Sequence, residues 1–364
     1  MLETTVLLEH LQNHAPAYFP ELVASPSVEL LQQQVRATSV LFRFRIVTAT
    51  NARVVIVKMP LPQVSQQGPT PLERPCLTTL TDPLIKVEFE YRALAQIYQH
   101  FTRLQDDRFD AIHPLEYLPD FPAIIMEEKK APNLRHLLMQ THRLRMQRSV
   151  RDFSQIFHNA GAWLRAYHAL PKVEYTLTRH ATRADFVQSI NDFAAFLSTT
   201  LGNRAYVQQL ATWAVDQAEA LLPDLLPMGL GHGDYATRNI LVGPADCVTV
   251  LDTLSKWQTP IYEDIAYFLF RLKAAGPQAL GQGLLFSPAR LAAYEQAFLQ
   301  GYWGTEPIPY AQIRLFEVQA LLDYWTSQSA SVRGQNRSGA KRFKNQAQRY
   351  LLNRFLYGYS RRLM

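Results

Sequence analysis

Two short segments rich in β-branched and aromatic residues, Val40 to Val47 (VLFRFRIV) and Arg53 to Met59 (RVVIVKM), are separated by only five residues. Such a pair predicts a β-hairpin turning through Thr48, Ala49, Thr50, Asn51 and Ala52. The N-terminal part of the chain is therefore expected to build an antiparallel sheet. Val28 to Val35 reads as the preceding strand, which makes Arg36, Ala37, Thr38 and Ser39 a turn between strands. Six prolines between Pro60 and Pro83 argue against helix there and predict a long loop. Phe89, Ala93, Ile97 and Phe101 then recur at helical spacing, so a helix beginning near Val87 should pack one face on the sheet. Pro122 to Glu127 reads as a buried strand. Asn133 is placed to cap a helix running to Gln140.

Beyond this point helical periodicity dominates, in Val150 to Leu170, Ala184 to Ser198 and Tyr206 to Leu222, and again from Asp264. The exception is Leu230 to Asp252, where Gly, Asp and Asn alternate with the short apolar runs Ile240 to Val242 and Val248 to Leu251: a loop feeding two short strands. The expected class is α+β. At 364 residues the chain exceeds what one core usually serves, so two lobes are expected, residues 1–128 and 129–364. Its longest apolar runs fall far short of the ~20 residues of a membrane helix, and the N-terminus lacks a basic region followed by an apolar one. Cys76 and Cys247 are too few for a disulfide framework or a thiolate metal site, which fits the cytoplasm.

The net charge of +6 is unevenly placed. Trp325 to Met364 contains no acid, while Arg333, Arg337, Lys341, Arg342, Lys344, Arg349, Arg354, Arg361 and Arg362 make nine positive charges. The rest of the chain is then 6 − 9 = −3. Such a segment reads either as a solvated helix face or as a surface for an anionic partner.

Chemistry concentrates in Leu230 to Val242 (LGHGDYATRNILV) and in Leu251-Asp252-Thr253 ten residues further on. If the two short strands pair, Asn239 and Asp252 emerge at one end, with Asp234 on the preceding loop. Phosphoryl transfer requires this set: a carboxylate to orient or deprotonate an acceptor hydroxyl, and hard oxygen ligands for Mg²⁺.

The run HGDYATRN resembles the His-Gly-Asp-x-x-x-x-Asn loop of aminoglycoside phosphotransferases, choline kinases and their small-molecule kinase relatives. That resemblance implies a two-lobed protein kinase-like fold, with an antiparallel sheet and one main helix in the N-lobe and a mostly helical C-lobe. It further implies ATP and Mg²⁺ as cofactors, Asp234 as catalytic base, Asn239 and Asp252 as metal ligands, and His232 as a catalytic-loop residue that mainly braces the loop. Lys58 resembles the strand lysine that contacts ATP phosphates, with Glu90 as its helical partner in preference to Glu88. Met126, Glu127 and Glu128 resemble the hinge whose backbone holds adenine. His168 resembles a packing residue and Asp264 a helix-capping one. The resemblance departs in three places: Thr38 and Ser39 supply hydroxyls where a Gly-rich phosphate loop is absent, Thr253 and Leu254 stand where Phe-Gly would follow Asp252, and the Pro-rich loop is long.

The expected activity is phosphorylation of a hydroxyl on a small molecule: a sugar, polyol, amino alcohol or related metabolite. The scarcity of acids near the C-terminus argues against a polycationic aminoglycoside acceptor. An aminoglycoside kinase and an ATP-binding pseudokinase or scaffold with a basic tail are the alternatives.

Overall fold

The expected hairpin forms between β2 (Ser39–Val47) and β3 (Ala52–Pro60), with Val47 opposite Ala52, in a computed structural model. It describes residues 2–22, 26–36, 39–48, 51–61, 83–143, 151–201, 204–274, 278, 286–330 and 339–364. The chain separates into two units, one drawn from Met1–Gln66, Leu80–Ala131 and Thr249–Leu254, the other from Gln67–Thr79, Pro132–Val248 and Ser255–Met364.

In the first unit β1 (Ser27–Val35) pairs antiparallel with β2. With β5 (Pro114–Leu118) and β6 (Ala123–Glu127) the sheet runs β1-β2-β3-β6-β5, and β4 (Phe109–Asp110) lies outside it. Strand alternation turns Phe42, Phe44 and Ile46 of β2 and Val55 and Val57 of β3 into one core, together with Leu7, Leu11 and Ala15 of α1 (Leu2–Tyr18). The other face receives α2 (Pro83–Leu104), where Val87 and Leu94 pack with Ile112 and Ile124. Each such buried side chain contributes about 1.5–3 kcal/mol, so both faces of the sheet are sealed by a helix.

Helix α2 begins earlier than its periodicity suggests. Pro83 is acceptable there because a first-turn N–H has no intrahelical partner. Its buried face is Val87, Glu90, Ala93, Leu94, Ile97 and Phe101, while Phe89 is only half-buried. The Pro-rich loop over 62–82, with Cys76, lies outside the described residues, as do Ala37 and Thr38.

The second unit holds α3 (Leu134–Arg143), α4 (Ser154–His168), α5 (Arg183–Thr200), α6 (Arg204–Leu221), α7 (Ile261–Ala274), α8 (Pro288–Trp303), α9 (Tyr310–Ala330) and α10 (Gly339–Leu363). Asn133 caps α3 as expected, its Oδ1 accepting from the His136 N–H at 2.8 Å. Short strands interrupt the helices: β7 (Leu177–Thr178), β8 (Met228–Gly231), β9 (Ile240–Val242), β10 (Val248–Val250) and β11 (Trp257–Pro260). β8 pairs antiparallel with β11, Gly231 opposite Trp257, and the turn between β9 and β10 is closed by the Gly243 N–H donating to the Cys247 carbonyl at 2.8 Å. Helices α4 and α8 meet backbone to backbone: a Cβ on Gly161 would lie 2.0 Å from the Phe298 carbonyl oxygen, and one on Gly301 1.9 Å from that of His158.

Helix α10 buries Leu352, Phe355, Leu356 and Tyr359. Arg361 and Arg362 of the basic segment lie over the rings of Tyr206 and Tyr359, at 5.9 and 5.6 Å, whereas Arg333 and Arg337 lie outside the described residues. No helix among the described residues is long and apolar enough to cross a membrane.

Candidate active site

The loop that follows β8 is built around one buried carboxylate. Asp264 accepts the backbone N–H of His232 at 2.6 Å and of Gly233 at 2.8 Å. It also meets His168 Nε2 at 3.2 Å, while His168 Nδ1 faces the Tyr302 hydroxyl at 2.8 Å. Burial raises the Asp264 carboxyl pKa, but the hydrogen bond and charge of His168, with His232 beside it, bring it below the usual value. Asp264 was expected to cap its own helix. Because α7 already starts at Ile261, Asp264 stands inside the first turn and anchors the loop instead. His168 is a packing residue, as its surroundings require.

Gly233 has φ +78°, a left-handed conformation that a Cβ would strain. The next residue is thereby turned outward while Tyr235 enters the core, its hydroxyl donating to the Ala160 carbonyl at 2.7 Å and its ring stacked 5.9 Å from that of Trp163. His232 is buried, and its Nδ1 accepts the Asp234 N–H at 3.3 Å. Both its backbone and its ring serve the shape of the loop.

Asp234 carries a carboxylate that is 39% exposed, enough for a substrate to reach. Asn239 Nδ2 donates to Asp234 Oδ2 at 3.1 Å and to the Asp234 carbonyl at 2.9 Å. The Tyr267 hydroxyl donates to Oδ1 at 2.9 Å, and the Arg238 guanidinium forms an ion pair with the same oxygen. Arg238 and Tyr267 escaped the sequence reading. The four-residue spacing from Asp234 was a signal for Arg238, but Tyr267 lies on α7 and only folding brings it near. Burial first, then the Asp234 charge, push the Tyr267 hydroxyl up to about 12, against the opposing pull of Arg271 and Arg238.

The first unit holds a second charged group. Lys58 Nζ lies 2.6 Å from Glu90 Oε1 and 3.1 Å from Asp252 Oδ1. The lysine side chain is 16% exposed and Glu90 5%, whereas Asp252 is 50% exposed. Burial pulls the lysine pKa down, yet the charges of Glu90 and Asp252 outweigh it and the net shift is upward. Glu88 is not part of this group; it pairs with Arg92 one turn along at 2.6 Å. Asp252 adopts φ +59°, uncommon for a residue with a Cβ and most often tolerated by Asp and Asn.

The remaining expected nucleotide contacts are distributed differently. Ser39 opens β2 and is buried, while Thr38 lies outside the described residues. Met126 and Glu127 end β6 and Glu128 follows. The N–H groups of Glu127 and Glu128 donate to the carbonyls of His113 and Val54, each at 3.0 Å. Glu128 also accepts two bonds from Arg43, at 2.6 and 2.9 Å. Two backbone donors of this segment are thus already satisfied within the unit.

Among the described residues no three or more His, Cys, Asp or Glu side chains converge as a metal cage. The oxygens of Asn239 and Asp252 suit a hard cation that keeps most of its other ligands from phosphate and water, as Mg²⁺ does.

Residues 137–308, which contain this loop, match the phosphotransferase enzyme family (APH). No curated protein matches the chain. Three solved structures share its fold over most of its length: a spectinomycin phosphotransferase in complex with ADP and spectinomycin (13% identity, 98% of each chain, TM-score 0.54), a Plasmodium vivax ethanolamine kinase (12% identity, 97% of this chain and 88% of that one, TM-score 0.53), and an amicoumacin kinase in complex with AMP-PNP, Ca²⁺ and Ami (11% identity, 95% and 93%, TM-score 0.52). The class these features define is a small-molecule phosphotransferase with a two-lobed, protein kinase-like α+β fold. Through its 137–308 segment the chain belongs to the phosphotransferase enzyme family.

Proposed function

We propose that the protein transfers the γ-phosphoryl group of ATP to a hydroxyl of a small metabolite, with Asp234 as the base. The observation that carries this reading is the Asp234 carboxylate, partly exposed and held by donors from Asn239, Arg238 and Tyr267. Asp234 takes the proton of the acceptor hydroxyl as the acceptor oxygen bonds to the γ-phosphorus. The bond from that phosphorus to the bridging oxygen breaks, its electron pair leaves with ADP, and the proton later passes from Asp234 to solvent.

Asn239 gives its amide N–H groups to Asp234, which leaves its oxygen for a cation. With Asp252 it would hold Mg²⁺, which when bound offsets phosphate charge and polarises the transferring group. Lys58, oriented by Glu90, would contact phosphate oxygens. We assign the cytoplasm as the compartment on the strength of the cysteine usage.

The test is ADP release against a panel of hydroxylated metabolites, with Asp234→Ala and EDTA as controls. The expected result is acceptor-dependent, metal-dependent turnover that Asp234→Ala abolishes. Failure of every acceptor to raise ADP release above the ATP-only background would end this reading.

A further inference from the structure

The surroundings of Asp234 carry more positive than negative charge. Arg238 pairs with the carboxylate and its side chain is still 33% exposed. One turn beyond Tyr267 on α7, the Arg271 guanidinium lies 5.8 Å from the centre of the Tyr267 ring and 5.2 Å from that of Tyr324. Among the described residues Arg271 forms no ion pair. The nearest masked stretches in sequence, 275–285 and 331–338, contain no Asp or Glu that could supply one. The charges acting on the Tyr267 hydroxyl are one carboxylate, Asp234, and two guanidiniums, Arg271 and Arg238. The count is two positive against one negative, 2 − 1 = +1.

A substrate amine beside this hydroxyl would meet net repulsion, whereas an anionic group would find a planar, permanently charged fork held between two tyrosine rings. We propose that the acceptor bears a negatively charged group near the hydroxyl that is phosphorylated, and that Arg271, with Arg238, binds that group. A carboxylate of a hydroxy acid and a phosphate of a sugar phosphate share this chemistry. The inference rests on the phosphotransferase reading and narrows it: amino alcohols and aminoglycosides become poor acceptors.

The experiment measures kcat and KM of the full chain with ATP and Mg²⁺ for four acceptor classes: hydroxy acids, sugar phosphates, neutral sugars or polyols, and amino alcohols. The expected order of kcat/KM places one of the first two classes on top and the amino alcohols last, and which of the two leads tells carboxylate from phosphate. Arg271→Gln should raise KM for the anionic acceptor about 10- to 100-fold while leaving KM for a neutral acceptor within about 2-fold. Arg271→Lys, which keeps the charge, should retain a preference for anions and serves if the glutamine variant does not fold. KM for the anionic acceptor should also rise between low and high salt.

Better turnover of neutral or amine acceptors would overturn the charge assignment and leave the phosphotransferase reading intact. An equal rise in KM for all classes in Arg271→Gln would overturn the role of Arg271. Absence of turnover with all four classes would remove both readings.

Discussion

The two charged groups of this protein are built on opposite principles. In the first unit Lys58 and Glu90 are almost fully withdrawn from water and neutralise each other, one from the central strand and one from the helix laid across it. In the second unit Asp234 stays accessible and is steered by hydrogen bonds from its own loop and from α7. Removing one member of a buried pair leaves an uncompensated charge, whereas removing a partly exposed carboxylate leaves none. Changes in the first group should therefore appear mainly as stability, and changes in the second mainly as turnover.

The sharpest break comes from Asp234→Ala, which should lower kcat about 10²- to 10⁴-fold with an unchanged melting curve and an undiminished shift on adding ATP. Glu90→Ala should do the reverse in kind: a loss of about 3–5 kcal/mol in chemical denaturation, partly recovered when Lys58→Met is added and no charge remains to be compensated. A melting curve for Glu90→Ala that superimposes on wild type would erase the contrast.

Packing should dominate the stability of the second unit away from the loop. Gly301→Ala, whose new methyl group would collide with the His158 carbonyl, is expected to cost about 1–3 kcal/mol.

Asp264→Asn bears on the loop anchor and carries a pH signature. The Asp264 carboxyl is held below its ordinary value in the folded protein. Its contribution is therefore complete above the unfolded value of about 4 and disappears as pH falls through the depressed one. The stability gap between wild type and Asp264→Asn should accordingly be widest at neutral pH and close in acid, read from denaturant midpoints across pH. The smallest effect is expected from Tyr267→Phe, which removes one of several donors to Asp234 and should reduce kcat about 2- to 10-fold.

Much of the first unit was legible before folding because its signals are local. Alternation in Val40 to Val47 and Arg53 to Met59 specifies a two-faced hairpin, and the choice of Glu90 over Glu88 followed from which position shares a helical face with Leu94 and Ile97. The start of α2 at Pro83 was not legible, since a proline permits a first turn as readily as it forbids an interior one. In the second unit the His232 to Asn239 motif was visible as a pattern, but the role of Asp264 was assigned to the wrong end of its environment. Its partners, the N–H groups of His232 and Gly233, lie 32 and 31 residues away.

What the sequence determined by itself is the inventory: an antiparallel sheet followed by helices, and one loop with Asp234 and Asn239 at fixed spacing. Those are consequences of periodicity and short-range geometry, which act along the chain. The tertiary structure decided what surrounds that inventory. It set Lys58 against both Glu90 and Asp252, anchored the loop on Asp264, and brought Tyr267 and Arg271 of α7 to the side of Asp234. Those pairings join distant segments, and their net charge is a sum over space that no window of sequence contains.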